Sequence, residues 1–124
     1  MSNEVTRVMV VEHAPSFQEV VMFILSLEPS VKIVFTADSG EEALAALEEA
    51  SPDVVLLDFR LPGIDGLETA KRMKKQRPDI KIALVTAYAK EVASKAQAEG
   101  NVEVVIPKAQ FSLARVQQLL GRDS

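Results

Sequence analysis

Short runs of consecutive apolar residues alternate along the chain with longer segments in which apolar residues recur every three or four positions. The runs cover residues 8–11, 31–37, 54–57, 82–85 and 102–106. An apolar run without polar alternation predicts a strand that is buried on both faces. The longer segments have the period of an amphipathic helix. The pattern therefore predicts five strand–helix units of similar length.

Capping signals mark where the helices begin. Ser16 followed by Glu19, and Ser39 followed by Glu42, have the Ser-x-x-Glu spacing of a capping box, in which each side chain bonds the other's backbone N–H. Asp65 precedes a third segment of helical period and can cap it. The last two helices are predicted over residues 90–99, with Gly100 ending the first of them, and over residues 111–120.

Strict alternation of buried strands and amphipathic helices predicts an α/β fold. The expected architecture is a single doubly wound, five-stranded parallel sheet with five helices on its two faces. Residues 1–124 are predicted to form one domain, because no linker or low-complexity tract interrupts them and 124 residues is an ordinary domain length.

Composition narrows the classes of function. The chain contains no Cys and one His, which excludes disulfide scaffolds, thiolate metal sites, Cys-based catalysis and a multi-His metal cage. The 14 Lys and Arg against 18 Asp and Glu argue against direct binding of nucleic acid or an anionic membrane. Residues 20–25 form the longest apolar run, far below the roughly 20 residues of a membrane-spanning helix. With no signal-peptide pattern, a cytoplasmic location is expected.

Polar side chains follow all five predicted strands, with Asp38 after the second. Glu12 and His13 follow the first strand, Asp58 the third, Thr86 the fourth and Lys108 the fifth. Ligands of open parallel sheets bind outside the carboxyl ends of the strands, so these residues are expected at one edge. Two close carboxylates need a proton or a cation between them, and oxygen ligands favour Mg²⁺. Lysine and threonine can hold phosphoryl oxygens, and a carboxylate can be the nucleophile that forms an acyl phosphate.

These motifs resemble the receiver domain of two-component response regulators, similar to the chemotaxis receiver. Residues 54–66, VVLLDFRLPGIDG, resemble the family's phospho-acceptor strand and loop. Thr86 with Ala87 resembles the segment of the family's hydroxyl, and Lys108 matches its lysine. Residues 10–15 lie where the family has its acidic pair. The resemblance covers essentially the whole chain and implies a flavodoxin-like (βα)5 fold with strand order 2-1-3-4-5.

The resemblance implies a role for each residue. Asp58 would accept a phosphoryl group from a sensor histidine kinase, a phosphotransfer protein or a small phosphodonor. Glu12, Asp58 and the backbone carbonyl of Arg60 would bind Mg²⁺, and Thr86 and Lys108 would bind the phosphoryl oxygens. The chain would then be a signalling domain that catalyses at most its own phosphorylation and dephosphorylation. A downstream protein or output domain would read the face of the fourth helix, fifth strand and fifth helix, which is also the expected homodimer surface.

Three positions depart from the family pattern, and one of them is Ala109, which stands where the family usually has a proline after its lysine. His13 replaces the second carboxylate of the acidic pair, and weaker Mg²⁺ binding is expected because imidazole is a poorer ligand for a hard ion. An exposed loop histidine without a role is the alternative. Val105 replaces the aromatic switch residue three positions before Lys108, and Tyr88, two residues after Thr86, is the candidate substitute or shield.

Other functions compete with a phosphorylated receiver. A degenerate pseudo-receiver, acting as a phosphorylation-independent binding module, is supported by His13 and Val105. A flavin binder or an aspartyl phosphohydrolase is disfavoured, because residues 12–16, EHAPS, lack a Ser/Thr/Gly-rich phosphate loop and an Asp pair. The phosphorylated receiver is favoured, because the nucleophile and both phosphate-contacting partners are present.

Overall fold

The computed structural model describes residues 5–121, which form five strands, five α-helices and one 3-10 turn. The strands are β1 (Thr6–Val11), β2 (Val31–Ala37), β3 (Val54–Leu57), β4 (Lys81–Thr86) and β5 (Val104–Pro107). The helices are α1 (Pro15–Ser26), α2 (Gly40–Ala50), α3 (Gly66–Gln76), α4 (Ala89–Glu99) and α5 (Leu113–Leu119). All strand pairs are parallel, in the order β2-β1-β3-β4-β5. This confirms the predicted fold and strand order. Within residues 5–121, no helix combines the length and apolar character that crossing a bilayer requires.

The central strands bury both faces in two separate cores. In β3, Val55 and Leu57 pack toward α2, α3 and α4, whereas Val54 and Leu56 pack toward α1 and α5. The residues of β1 and β4 alternate in the same way. Because each side of the sheet is covered by helices, every position in these strands can be apolar. This explains why the strands appear in the sequence as continuous apolar runs.

Three predicted helix ends are confirmed. The Ser39 hydroxyl accepts a hydrogen bond from the backbone N–H of Glu42 at 3.1 Å. The Asp65 carboxylate accepts one from the backbone N–H of Glu68 at 2.9 Å. Gly100 ends α4 with a φ of 70°, in the left-handed region that favours glycine. These contacts fix the starts of α2 and α3 and the end of α4.

The capping box predicted at Ser16 is wrong. Helix α1 begins one residue earlier, at Pro15, and its N-cap is Ala14, which makes no side-chain cap hydrogen bond. Proline is favoured at the first helical position because its missing N–H would have no intrahelical partner there. The proline therefore determines the start of α1, and the Ser-x-x-Glu spacing is coincidental.

The last strand–helix unit is shorter than predicted. Helix α5 begins at Leu113 rather than at residue 111, because the Ser112 hydroxyl accepts a hydrogen bond from the backbone N–H of Arg115 at 3.2 Å. Strand β5 extends to Pro107, and a 3-10 turn at Lys108–Gln110 follows it. The apolar pattern did not predict this turn.

Replacing Ser39 by Ala should lower the free energy of unfolding by about 1 kcal/mol, because the N–H of Glu42 loses its side-chain acceptor. Ser16→Ala is the matched control, since Ser16 is exposed inside the first turn of α1. Its effect should stay below about 0.5 kcal/mol. Urea unfolding followed by far-UV circular dichroism measures both variants. Equal losses would contradict this assignment of the caps.

Candidate functional site

The carboxyl ends of the strands bring the predicted site residues to one edge of the sheet. Strands β1 and β3 end level with each other, since Val11 pairs with Leu57. Glu12 and Asp58 therefore leave adjacent parallel strands side by side. Thr86 ends β4 and lies opposite the last residue of β5. This arrangement follows from the strand order together with the register of the parallel strands.

Lys108 joins the two carboxylates through its side-chain ammonium. Its Nζ lies 3.1 Å from Oε1 of Glu12 and 3.0 Å from Oδ2 of Asp58. The carboxylates are only 4% and 5% exposed. Their other oxygens accept backbone hydrogen bonds, from Ala14 to Glu12 at 2.9 Å and from Phe59 to Asp58 at 2.7 Å. The structure thus gathers three of the predicted site residues into one buried charge cluster.

This cluster carries a formal charge of −1, from two carboxylates and one ammonium. Burial raises the pKa of Glu12, and the negative charge of Asp58 adds to the rise, against the lowering effects of the Ala14 N–H and of Lys108. Partial burial lowers the pKa of Lys108, but the bonds and charges of Asp58 and Glu12 outweigh it and leave this pKa raised. Lys108 is therefore an ammonium at neutral pH and the counter-charge for both acids.

Phe17 is a site neighbour that sequence analysis did not single out. The Nζ of Lys108 lies 4.7 Å from the centroid of the Phe17 ring, within range of a cation–π interaction. Phe17 also meets Phe111 edge to face, with ring centroids 6.2 Å apart. Its place in the first turn of α1, just after the end of β1, is the sequence signal that could have revealed this role.

Thr86 and its neighbours lie on the side of Asp58 toward β4. The Thr86 hydroxyl is fully buried and accepts a hydrogen bond from the backbone N–H of Tyr88 at 3.1 Å. Ala87, between them, is exposed. The guanidinium carbon of Arg60 lies 4.6 Å from the centroid of the Tyr88 ring. The side chains of Arg60 and Tyr88 therefore interact with each other beside the charge cluster.

Two further predicted positions lie outside the cluster. His13 follows Glu12 but is exposed to solvent. Among residues 5–121, no three His, Cys, Asp or Glu side chains form a group that could hold a metal ion. Val105 is partly buried in β5 and packs against the core that also contains α2, α3 and α4. The structure thus does not bring His13 into a three-residue ligand set.

The donor set at this edge nevertheless fits a hard divalent cation. Two adjacent buried carboxylates offer oxygen atoms, and each carboxylate has lone pairs beyond those used by one N–H and one ammonium. The backbone carbonyl of Arg60, in the loop after β3, is a further oxygen candidate. Mg²⁺ needs only one or two carboxylates and retains water at its other positions. An incoming cation would compete with Lys108 for the same oxygens.

The family model named response regulator receiver domain matches residues 8–120. The chain belongs to this family. A curated relative, the "Probable C4-dicarboxylate response regulator DctR" of Bacillus subtilis, is 31% identical over 123 residues, which cover 98% of this chain and 54% of that protein. The first curated relatives are longer proteins, of which this receiver domain spans 26% to 54%.

Solved receiver structures agree with this assignment. The signal receiver domain of NarL from Mycobacterium tuberculosis superposes with a TM-score of 0.85 at 30% identity, covering 95% of each chain. TrrA from Thermotoga maritima, solved in complex with Mg²⁺–BeF, gives a TM-score of 0.81 at 30% identity and covers 95% of this receiver and 98% of that chain.

Lys108→Met should lower the free energy of unfolding by about 2–4 kcal/mol near neutral pH, because two buried carboxylates lose their counter-charge. This expected loss is smaller than for a fully buried ion pair, since the Lys108 side chain is 22% exposed. Asp58→Asn should cost less than about 1 kcal/mol or stabilise the fold, because it removes the repulsion of Glu12. Urea unfolding in the presence of EDTA measures both, and equal losses would contradict this account.

The loss of unfolding free energy in Lys108→Met should depend on pH. The pKa of Glu12 is raised in the folded state, so the associated stability is present at low pH and is lost as the pH rises through the folded-state pKa. Lys108 lowers the pKa of Glu12, so removing the ammonium moves this pKa further up. The destabilisation of Lys108→Met should therefore be larger near pH 7 than near pH 5. A loss that is independent of pH would argue against an ionised Glu12 as its cause.

Proposed function

We propose that residues 1–124 form the receiver domain of a two-component response regulator and that Asp58 is its phospho-acceptor. The phosphodonor is a phosphohistidine of a sensor histidine kinase or phosphotransfer protein, or a small phosphodonor. The observation that carries this proposal is the contact of Lys108 with both Asp58 and Glu12 at the edge of the sheet. It supplies a nucleophile, a second acid for a cation and a charge for the phosphoryl oxygens in one place.

In the proposed reaction, a carboxylate oxygen of Asp58 attacks the phosphorus atom of the phosphohistidine. The new O–P bond forms as the P–N bond breaks, and the electron pair stays on the imidazole nitrogen, which takes a proton from solvent. Lys108, already 3.0 Å from the Asp58 carboxylate, neutralises a phosphoryl oxygen. The Thr86 hydroxyl accepts a bond from Tyr88 and can donate its own proton to another phosphoryl oxygen.

Mg²⁺ is the proposed cofactor. Glu12, Asp58 and the backbone carbonyl of Arg60 would hold it, and when bound it would neutralise charge on the phosphoryl group. His13 cannot add a second acidic ligand from the position after Glu12. The affinity for Mg²⁺ is therefore proposed to be weaker than with a carboxylate there.

The proposed output is a changed protein-binding face made by α4, β5 and α5. Lys108 directly follows β5 and begins the 3-10 turn that leads to α5, so a shift of its ammonium toward a phosphoryl group acts on that unit. Val105 provides no aromatic ring, and Lys108 is thus the proposed route of coupling. A downstream protein or an output domain reads this face, which is also the proposed homodimer surface. We place this signalling in the cytoplasm.

Incubation with acetyl phosphate and Mg²⁺ should add one phosphoryl group to the protein, detected by intact mass spectrometry. Asp58→Asn should abolish the adduct, because the nucleophilic carboxylate is absent. Asp79→Asn, at an exposed position after α3, is the matched control and should retain the adduct. An unmodified wild-type protein, or an adduct that survives Asp58→Asn, would contradict the proposal.

A phosphorylation-independent binding module is the second candidate function. The exposed His13 and the missing aromatic ring at Val105 favour it. Partner binding that is equally tight for wild type and Asp58→Asn would support this candidate against the phosphorylated receiver.

His13→Asp should raise the affinity for Mg²⁺ by about tenfold, because one more carboxylate increases the charge offered to the cation. His13→Asn, which removes the imidazole and adds no charge, separates the effect of charge from that of losing the histidine. Calorimetric titration of Mg²⁺ and Mn²⁺ into the three proteins makes the comparison. Equal affinities for wild type and His13→Asp would show that the histidine has no effect on metal binding.

A further inference from the structure

Arg60 and Tyr88 form a bridge between the two loops beside Asp58. Arg60 lies two residues after Asp58 in the loop that follows β3, and Tyr88 lies two residues after Thr86 in the loop that follows β4. The two strands are hydrogen-bonded neighbours in the sheet. The guanidinium carbon lies 4.6 Å from the ring centroid, and both side chains are exposed. The contact thus lies at the solvent side of the site.

The charge cluster creates a need for a second cation. Glu12, Asp58 and Lys108 already sum to a formal charge of −1, and Lys108 is divided between two acids. Phosphorylation replaces the single charge of the Asp58 carboxylate by a phosphoryl group with a charge near −2. Lys108 alone leaves the resulting cluster with a charge near −2, and only a bound Mg²⁺, whose affinity is proposed above to be weak, would offset it without a further cation from the protein. Arg60 is the guanidinium attached nearest to this position along the chain.

Arg60 can either stack on the Tyr88 ring or bind a phosphoryl group on Asp58. The relative strengths of these two contacts determine which one forms before and after phosphorylation. An exposed cation–π contact favours the stacked form by only about two- to fivefold. A charge-assisted hydrogen bond to an anionic oxygen is worth about ten- to a hundredfold, and guanidinium matches phosphate geometry with two such bonds. Stacking on Tyr88 therefore prevails while Asp58 is unmodified, and phosphate binding prevails afterwards.

We propose that Arg60 is a further phosphoryl-binding residue, stored on the Tyr88 ring at rest and transferred to the phosphoryl oxygens of phosphorylated Asp58. This inference rests on the proposed function. It assigns Arg60 a side-chain role separate from the metal-ligand role of its backbone carbonyl. It also implies that Tyr88 weakens phosphoryl binding, since its ring competes with the phosphoryl group for the guanidinium of Arg60.

Beryllofluoride, which mimics a phosphoryl group on a carboxylate, provides the test at saturating Mg²⁺. Arg60→Gln, which keeps the backbone carbonyl, should weaken beryllofluoride binding by about tenfold through the lost charge-assisted bonds. Tyr88→Ala should strengthen binding by about two- to fivefold, because the competing ring is gone. Tyr88→Phe keeps the ring and should bind as wild type does. Opposite signs for Arg60→Gln and Tyr88→Ala are the specific signature.

Two spectroscopic readouts follow the transfer directly. The Nε–H resonance of Arg60, shielded by the ring at rest, should move downfield when beryllofluoride binds. Tyr88 is the single tyrosine of a chain without tryptophan, so its fluorescence reports loss of the stacked guanidinium. Both changes should be absent from Asp58→Asn, which lacks the carboxylate to which beryllofluoride attaches.

Arg72→Gln is the charge-matched control, because Arg72 is an exposed arginine that pairs with Glu68 on α3. Its affinity for beryllofluoride should equal that of wild type. If wild type binds beryllofluoride and Arg60→Gln binds it equally well, this inference is wrong and the proposed function stands. Weaker binding by both Arg60→Gln and Tyr88→Ala would mean a purely structural contact and would also overturn it. If wild type neither binds beryllofluoride nor is phosphorylated by acetyl phosphate, both proposals fail.

Discussion

The ion pairs of Lys108 with Glu12 and Asp58 are the interaction on which the site depends. Parallel strands that end level place the two acids side by side, whatever their mutual repulsion. Burying two unpaired carboxylates would cost several kcal/mol, so the fold needs a cation at this point. The ammonium supplies it at 3.0 and 3.1 Å. The Lys108 ammonium that offsets the two buried carboxylates is thereby also placed where it could bind a phosphoryl group on Asp58.

Several elements together hold that ammonium in place. Strand β5 ends at Pro107, and the 3-10 turn at Lys108–Gln110 begins directly with the lysine. Phe17 lies against the ammonium and against Phe111, which is buried just before α5. The lysine is therefore in contact with α1 on one side and attached to the segment leading to α5 on the other. Phe17 and Phe111 thus connect the lysine with both helices that cover this face of the sheet.

The sequence predicts those features that depend on the backbone alone. The strands were found because helices cover both faces of the sheet, which makes each strand a continuous apolar run. The edge residues Glu12, Asp58 and Lys108 were found because strand order determines which residues lie together. The predicted start of α1 is wrong because two local signals compete there, and the proline at position 15, rather than the Ser-x-x-Glu spacing, determines where the helix begins.

Contacts between side chains from distant segments could not be predicted in this way. The approach of Phe17 to Lys108 and of Arg60 to Tyr88 depends on side-chain rotamers and on the paths of loops. The sequence places Phe17 just after the end of β1, but it does not show that the ring contacts Lys108, and it gives no sign of the contact between Arg60 and Tyr88. Both pairs combine a cation with an aromatic ring, and Lys108 makes this contact while it is also paired with Glu12 and Asp58. The sequence therefore reveals Glu12, Asp58 and Lys108, whereas the aromatic rings that contact Lys108 and Arg60 become apparent only in three dimensions.

A histidine rather than a carboxylate at position 13 would have opposite effects on charge repulsion within the site and on the proposed binding of Mg²⁺. A carboxylate there would bring a third acid toward Glu12 and Asp58, with the single ammonium of Lys108 to balance all three. The exposed imidazole avoids that repulsion, so the cluster carries one uncompensated negative charge rather than two. The same substitution reduces the attraction for a divalent cation, since Coulomb attraction scales with the charge of the site. Under the proposed function, lower repulsion in the metal-free cluster would therefore accompany weaker binding of Mg²⁺. This link increases the importance of the protein's own cations for any phosphoryl group on Asp58.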